Sequence, residues 1–266
     1  MSTPVRQLSV RHRNAMDFYV NLEPISLDDL VAEAAMLTRI DRKYVLHRQD
    51  LAQALGGLDP HTKVLKINGK APQPYRSIYF DTDDHRSFYL AAHKRRRKFK
   101  VRTRTYVDSD TSFLEVKAKG PRGVTVKQRI PYAPELASTG ELDNSIRDWL
   151  EHELVKAGQP EGISERLEAS MWGTYNRITL LMADGSGRAT VDTELDWASR
   201  QGYIERPNMV IVETKSGAQP SQIDRLLWAS GHRPAKISKF GTGMAALDPS
   251  LPHNRWNRVL NEYFHD

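Results

Sequence analysis

Hydrophobic and polar positions along this 266-residue chain follow two periods. A period of two, expected where a strand buries one face, runs through 98–107, 112–119 and 124–131. Asp108-Ser-Asp110 and Gly120-Pro-Arg-Gly123 supply turns between these runs, so the pattern predicts a meander. Further strands are predicted at 41–47, 76–81, 175–182, 188–194 and 208–216. Helical spacing marks 141–157, 164–172 and the segment after Pro220, whose apolar face is Ile223, Leu226 and Leu227. Ser26 followed by Asp29 predicts a capping box opening a helix through Leu27, Leu30 and Val31, and 50–55 predicts a short helix. Residues 1–24 lack periodicity and are predicted to form an N-terminal arm. Residues 25–248 are predicted to form one domain, followed by a helical tail, 249–266, with Trp256, Val259, Leu260, Tyr263 and Phe264 on one face. Strands dominate and helices gather at the middle and ends, which predicts an α+β class.

Composition narrows the function classes. No apolar run approaches the roughly 18 residues of a membrane span. The first twenty residues scatter charges where a signal peptide needs an apolar stretch. Without cysteine there is no disulfide, thiolate metal site or cysteine nucleophile, which fits a cytoplasmic location. The nine histidines show no His-x-x-x-His pair, so zinc is not expected. Net charge is +6, but residues 93–129 alone carry thirteen Lys or Arg against three acids, a balance of +10 that leaves the rest of the chain at −4. That segment is interleaved with Phe99, Val101, Tyr106, Phe113 and Leu114, unlike a disordered basic tail.

Alternation assigns the charges to strand faces. Lys98, Lys100, Arg102 and Arg104 oppose Phe99, Val101 and Thr103; Phe113, Glu115 and Lys117 oppose Leu114 and Val116; Thr125, Lys127 and Arg129 oppose Val124 and Val126. Later, Tyr175, Arg177 and Thr179 share a face, as do Arg188, Thr190 and Asp192, and Ile211, Glu213 and Lys215. Like charges opposite one another across strands are destabilising, and a face selected only for solubility would mix signs. A face built to hold a polyanion would not. Arginine forks match phosphate oxygens and lysines neutralise as point charges. Glu115, Asp192 and Glu213 on the same faces suit Mg²⁺ or Mn²⁺, which take carboxylates together with substrate phosphate oxygens. No phosphate-binding glycine loop occurs, so the site must be built from side chains. Tyr79 and Phe80 are assigned to the core, and Trp149, Trp172 and Trp228 to core positions on helices. With most strand aromatics alternating out of the cationic face, a nucleic-acid partner is not expected.

Nine segments in order resemble the catalytic domain of the vacuolar transporter chaperone (VTC) family, a polyphosphate-polymerase branch of the triphosphate tunnel metalloenzymes. They are Asp41-Arg-Lys43-Tyr-Val, Ile78-Tyr-Phe-Asp-Thr82, Lys100-Val-Arg-Thr-Arg-Thr-Tyr106, Phe113-Leu-Glu-Val-Lys117, Gly123-Val-Thr-Val-Lys127, Tyr175-Asn-Arg177, Val191-Asp-Thr193, Val212-Glu-Thr-Lys215 and Lys236-Ile-Ser-Lys239-Phe. The resemblance implies that 25–248 is a triphosphate tunnel domain: a closed antiparallel barrel of about eight strands with flanking helices, its lumen the basic face. It implies Arg102, Arg104, Lys117 and Arg177 as catalytic cations. Lys43, Lys100, Lys127, Arg129, Lys215, Lys236 and Lys239 would bind phosphate, with Lys236 and Lys239 on one face of a helical turn at the tunnel mouth. Glu213, with Glu115 and Asp192, would hold Mn²⁺ or Mg²⁺. The expected reaction passes the γ-phosphoryl group of ATP to inorganic polyphosphate, a triphosphatase or a passive polyphosphate binder being the alternatives on the same site. Arg39-x-Asp41-x-Lys43 stands where the wider superfamily often has Glu-x-Glu-x-Lys, which fits the VTC branch. The full eukaryotic complex of that family also carries an inositol-phosphate-sensing module and membrane helices; neither is expected in this sequence, so coupling to translocation, or a place at the inner face of a membrane, would need a separate membrane partner.

Overall fold

The computed structural model describes residues 17–34, 40–120 and 124–264. Most of residues 1–24, together with Arg39 and residues 121–123 of the 120–123 turn, thus lie outside the described residues. Eleven strands are described: β1 (Glu23–Ile25), β2 (Ile40–His47), β3 (Lys63–Leu65), β4 (Gln73–Asp81), β5 (Phe99–Tyr106), β6 (Thr111–Lys119), β7 (Thr125–Tyr132), β8 (Glu168–Leu181), β9 (Gly187–Ser199), β10 (Gly202–Arg206) and β11 (Met209–Ser216). The helices are α1 (Leu27–Ala34), α2 (Leu51–Ala54), α3 (Arg86–Ala92), α4 (Pro134–Thr139), α5 (Asn144–Lys156), α6 (Gln222–Ala229), α7 (Lys239–Leu247) and α8 (Asn257–Tyr263). Among the described residues no helix is long and apolar enough to cross a membrane.

Eight strands form one antiparallel sheet in the order β2-β11-β9-β8-β4-β5-β6-β7. The expected α+β class and strand number are met. Among the described pairings β2 joins β11 alone and β7 joins β6 alone, so the ladder that would close the barrel is not among them. The β5-β6-β7 meander falls where the alternation placed it.

Helices cover the outer face of this sheet. Leu51, Ala54 and Leu55 from α2 and its end, with Ile223 and Leu227 of α6, pack on Tyr44, Leu46, Val191 and Val212. Ala137 of α4, with Ile146, Leu150 and Leu154 of α5, packs on Ile78, Val101, Leu114 and Val116. Asp224 fastens α6 to the sheet: it accepts hydrogen bonds from Tyr44 Oη (2.6 Å), Thr214 Oγ1 (2.6 Å) and Ser221 N (2.8 Å), completing a capping box at Ser221. The Ser26–Asp29 pair opens α1 as expected, with Asp29 N donating to Ser26 Oγ at 3.2 Å.

The third core fills one end of the rolled sheet. Phe240 and Met244 of α7 pack with Tyr79, Met171, Tyr175, Leu195 and Trp197, and Trp256, Val259, Leu260 and Phe264 of the C-terminal segment join them. The Cβ that Gly241 lacks would stand 2.4 Å from the Trp256 ring, and that of Gly243 2.5 Å from Trp197. Only glycine lets α7 enter this space.

Several expectations need correction. Residues 164–172 are not a helix: a 3₁₀ turn (Ser164–Arg166) leads into β8, which continues unbroken to Leu181. The stretch is short enough to satisfy both periods, and Trp172 lies on a strand, paired to Ile78 and Ala198. The segment after residue 16 is not wholly a loose arm, because Leu22 is buried and β1 pairs in parallel with β3. α3, α4, α7, β3 and β10 have no counterpart among the expected elements.

Candidate functional site

A cavity of about 720 Å³ lies inside the rolled sheet, and each of the eight strands contributes to its wall. Strand register decides what meets there. Arg102 stands opposite Glu115 and Glu115 opposite Arg129; Lys100 stands opposite Lys117 and Lys117 opposite Lys127. On the other side Glu213 faces Lys43 and Thr190, and Arg177 faces Asp192. Among the described residues the lining holds ten Lys or Arg against Asp41, Glu115 and Glu213.

Glu115, Asp192 and Glu213 hold cations in place. Glu115 accepts from Arg102 Nε at 2.8 Å and pairs with Lys127 at 2.6 Å. Asp192 takes Arg177 in a bidentate fork, 2.7 and 2.8 Å, and also binds Lys239. Glu213 pairs with Lys43 at 3.5 Å and with Lys215, which also reaches Asp41 at 3.7 Å. Burial pushes each carboxyl upward, but the cations outweigh it. Arg102 and Arg104 hold Glu115 well below the carboxylate range, Lys43 and Lys215 do the same to Glu213, and Arg177 and Lys239 bring Asp192 down to about 2.

Other cations are left with capacity to spare. Lys100 donates to Ser238 Oγ at 2.6 Å and has no carboxylate partner among the described residues. Burial, and then Lys43, Arg102 and Lys117, hold its ammonium well below the ordinary lysine value. Arg104 lies 5.7 Å over the Tyr75 ring, and its buried Nε has no hydrogen-bond partner among the described residues. An unpartnered buried donor costs free energy that an anion oxygen would recover. Tyr75 and Tyr175 stack at 5.2 Å beneath Arg177, and Tyr79 lies beneath Arg102.

Of the expected site residues, Lys43, Lys100, Arg102, Arg104, Glu115, Lys117, Lys127, Arg177, Glu213, Lys215 and Lys239 line the cavity, and Asp192 sits directly behind Arg177 and Lys239. Two do not. Arg129 is exposed on β7 and lies 4.6 Å over the Phe113 ring. Lys236 is exposed on an extended segment before α7 and shares no helical turn with Lys239, because the helix starts only at Lys239. Asp41, Tyr79, Thr125, Tyr175, Arg188 and Ser238 also line the cavity and lie outside the expected set. Arg188 was legible from its face shared with Asp192. Tyr79 was not, because β4 is apolar on both faces around it: Ile78 and Phe80 turn to the outer core and Tyr79 to the inner side.

The donor set fits a hard divalent cation at one place. Mg²⁺ takes one or two carboxylates and completes its shell with water and substrate phosphate. Glu115 and Asp192 are 2% and 1% exposed and each is engaged by an arginine, whereas Glu213 is 15% exposed and paired with lysines only. Glu213, with Asp41 near it (38% exposed and, among the described residues, paired only with Lys215), is the carboxylate that Mn²⁺ or Mg²⁺ would meet. Among the described residues no three of His, Cys, Asp or Glu converge, so substrate oxygens would complete the shell.

A family model described as the VTC domain matches residues 38–248. No curated protein matches the chain in sequence. Among solved structures, HpAC1 from Hippeastrum, described as a candidate adenylyl cyclase with a dominant triphosphatase activity, shares 16% identity at a TM-score of 0.50, over 82% of this chain and all of that one. A candidate adenylate cyclase from Bacillus halodurans shares 17% identity at a TM-score of 0.48, over 75% of this chain and 93% of that one.

Proposed function

Because the chain belongs to the VTC domain family, we propose that its cavity binds the triphosphate of ATP and passes the γ-phosphoryl group to the terminal oxygen of a polyphosphate chain. The observation that supports this most is the surplus of charge: ten lining cations are met by four carboxylates, Asp41, Glu115 and Glu213 on the wall and Asp192 behind Arg177 and Lys239. That exceeds what one metal-bound triphosphate neutralises and leaves room for a second polyanion. The lining by all eight strands supports a barrel closed round the substrate.

In the transfer, the bond from the γ-phosphorus to the β–γ bridging oxygen breaks and a bond to the acceptor's terminal oxygen forms. ADP leaves with the bridging oxygen. An anionic acceptor needs little general base, so catalysis is alignment and charge neutralisation. Arg102 and Arg177, locked by Glu115 and Asp192, present rigid forks to the phosphoryl oxygens, and Arg104 offers its unpaired Nε. Lys117 neutralises charge at the transferring group. Lys43, Lys100, Lys127, Lys215 and Lys239 hold the flanking phosphates, and Arg129 and Lys236 take no part inside the cavity. Mn²⁺ or Mg²⁺ at Glu213 would supply Lewis-acid neutralisation of the phosphate oxygens.

Hydrolysis is the second reading, favoured by the part-exposed Glu213 carboxylate, which can orient water, and by the fold shared with HpAC1. Measuring ADP release with and without short-chain polyphosphate separates the two. A polymerase is stimulated by the added acceptor; a triphosphatase is inhibited by it or indifferent.

A further inference from the structure

Cations continue beyond the cavity on one side. Lys98, immediately before β5, shares the inward face of that strand with Lys100. Lys119 lies beside it: its N–H donates to Lys98 O at 3.3 Å, and its Nζ donates at 2.8 Å to Thr125 Oγ1, on the cavity wall. Arg255, between α7 and α8, is held next to the turn that leads from α3 into Lys98. Its Nη1 donates to Ala91 O at the end of α3 at 2.7 Å, and that carbonyl also accepts Lys94 N at 3.2 Å. The guanidinium is thereby seated at the start of the turn that carries the exposed cations Lys94, Arg95 and Arg96. Burial, then the charges of Arg255 and Lys119, hold the Lys98 ammonium below the ordinary lysine value, and Arg255 acts on Lys100 as well. Among the described residues neither Lys98 nor Arg255 pairs with a carboxylate. Crowded like charges cost stability, and a polyanion relieves that cost. Residue 255 also lies beyond the 38–248 span matched to the family.

We propose that Lys98, Lys119 and Arg255 form an outer anion subsite for the part of an extended polyphosphate chain that emerges from the cavity. The subsite rests on the polyphosphate reading above. It adds affinity for long chains that short ones cannot use.

The test is equilibrium binding of tripolyphosphate and of long-chain polyphosphate to the full, nucleotide-free chain, comparing wild type with a Lys98→Gln/Arg255→Gln double variant. Long-chain affinity should fall about tenfold in the variant, with a flatter dependence on salt, while tripolyphosphate affinity stays within about twofold and reports an intact fold. Arg255→Lys keeps the charge and should stay close to wild type for both ligands. Unchanged long-chain affinity in the double variant, or equal losses for both ligands, would overturn the subsite. Wild-type protein that binds neither ligand would overturn the cavity reading itself, and the subsite with it.

Discussion

Asp192 is almost fully buried between Arg177 and Lys239, and its role is to hold both cations where a phosphate can meet them. Replacing it with asparagine keeps the volume but leaves two buried charges uncompensated. Asp192→Asn should cost about 3 kcal/mol of unfolding free energy near neutral pH, and less with bound tripolyphosphate, as urea titrations with and without ligand would show. The pH dependence has a definite sign. The folded carboxyl titrates at about 2, below its unfolded value of roughly 3.9, so its contribution is complete above about pH 4 and is lost as pH falls through 2. Lys100 runs the other way. Its folded value is depressed by burial and by Lys43, Arg102, Lys117 and Arg255, so the empty protein gains stability as pH rises through that value. A bound polyanion favours the charged ammonium, so binding takes up a proton and weakens toward alkaline pH. Calorimetry of tripolyphosphate binding across pH should show this slope, and Lys100→Arg should flatten it because guanidinium stays charged. Alternation exposed Lys100, Arg102, Glu115 and Arg177 in the sequence because period two dictates a shared face. It did not expose which acid pairs with which cation, since register and side-chain reach decide that.

α7 shows what a helix can conceal in sequence. Its residues, KFGTGMAAL, carry two glycines and no clear polar face, and lack an amphipathic pattern because both sides are buried. The glycines are required by Trp197 and Trp256, which lie far away in the chain. Gly243→Ala gains helix propensity of about 1 kcal/mol. It also drives a methyl to 2.5 Å from Trp197 Cδ1, with Trp197 anchored by its Nε1–Lys239 O bond of 2.9 Å. Overpacking of this kind costs about 1–3 kcal/mol, so the net effect should be destabilising. Thermal unfolding would measure it, and weaker tripolyphosphate binding should accompany it because Lys239 opens the helix. The error at 164–172 has the same origin: a short segment fits two periods, and its pairing to β4 and β9 settles which one it adopts.

At the scale of the whole molecule, the sheet separates two environments. Its outer face is apolar and covered by α2, α4, α5 and α6, while its inner face carries Lys100, Arg102, Arg104, Lys117 and Lys127 of the basic 93–129 segment together with Lys43, Arg177 and Lys215, and Lys239 of α7 joins them. This arrangement costs repulsion in the empty protein and suits a polyanion in the filled one. Raising ionic strength should therefore stabilise the free protein slightly and weaken tripolyphosphate binding, as melting curves and titrations in increasing salt would show. The most direct test is incubation with ATP labelled in its γ-phosphate, with Mn²⁺ or Mg²⁺, resolving products on a gel while free phosphate is assayed. A ladder of labelled chains, abolished by Arg102→Ala and by Glu213→Ala, is expected of a polymerase. Labelled free phosphate with no chains would contradict the polymerase reading.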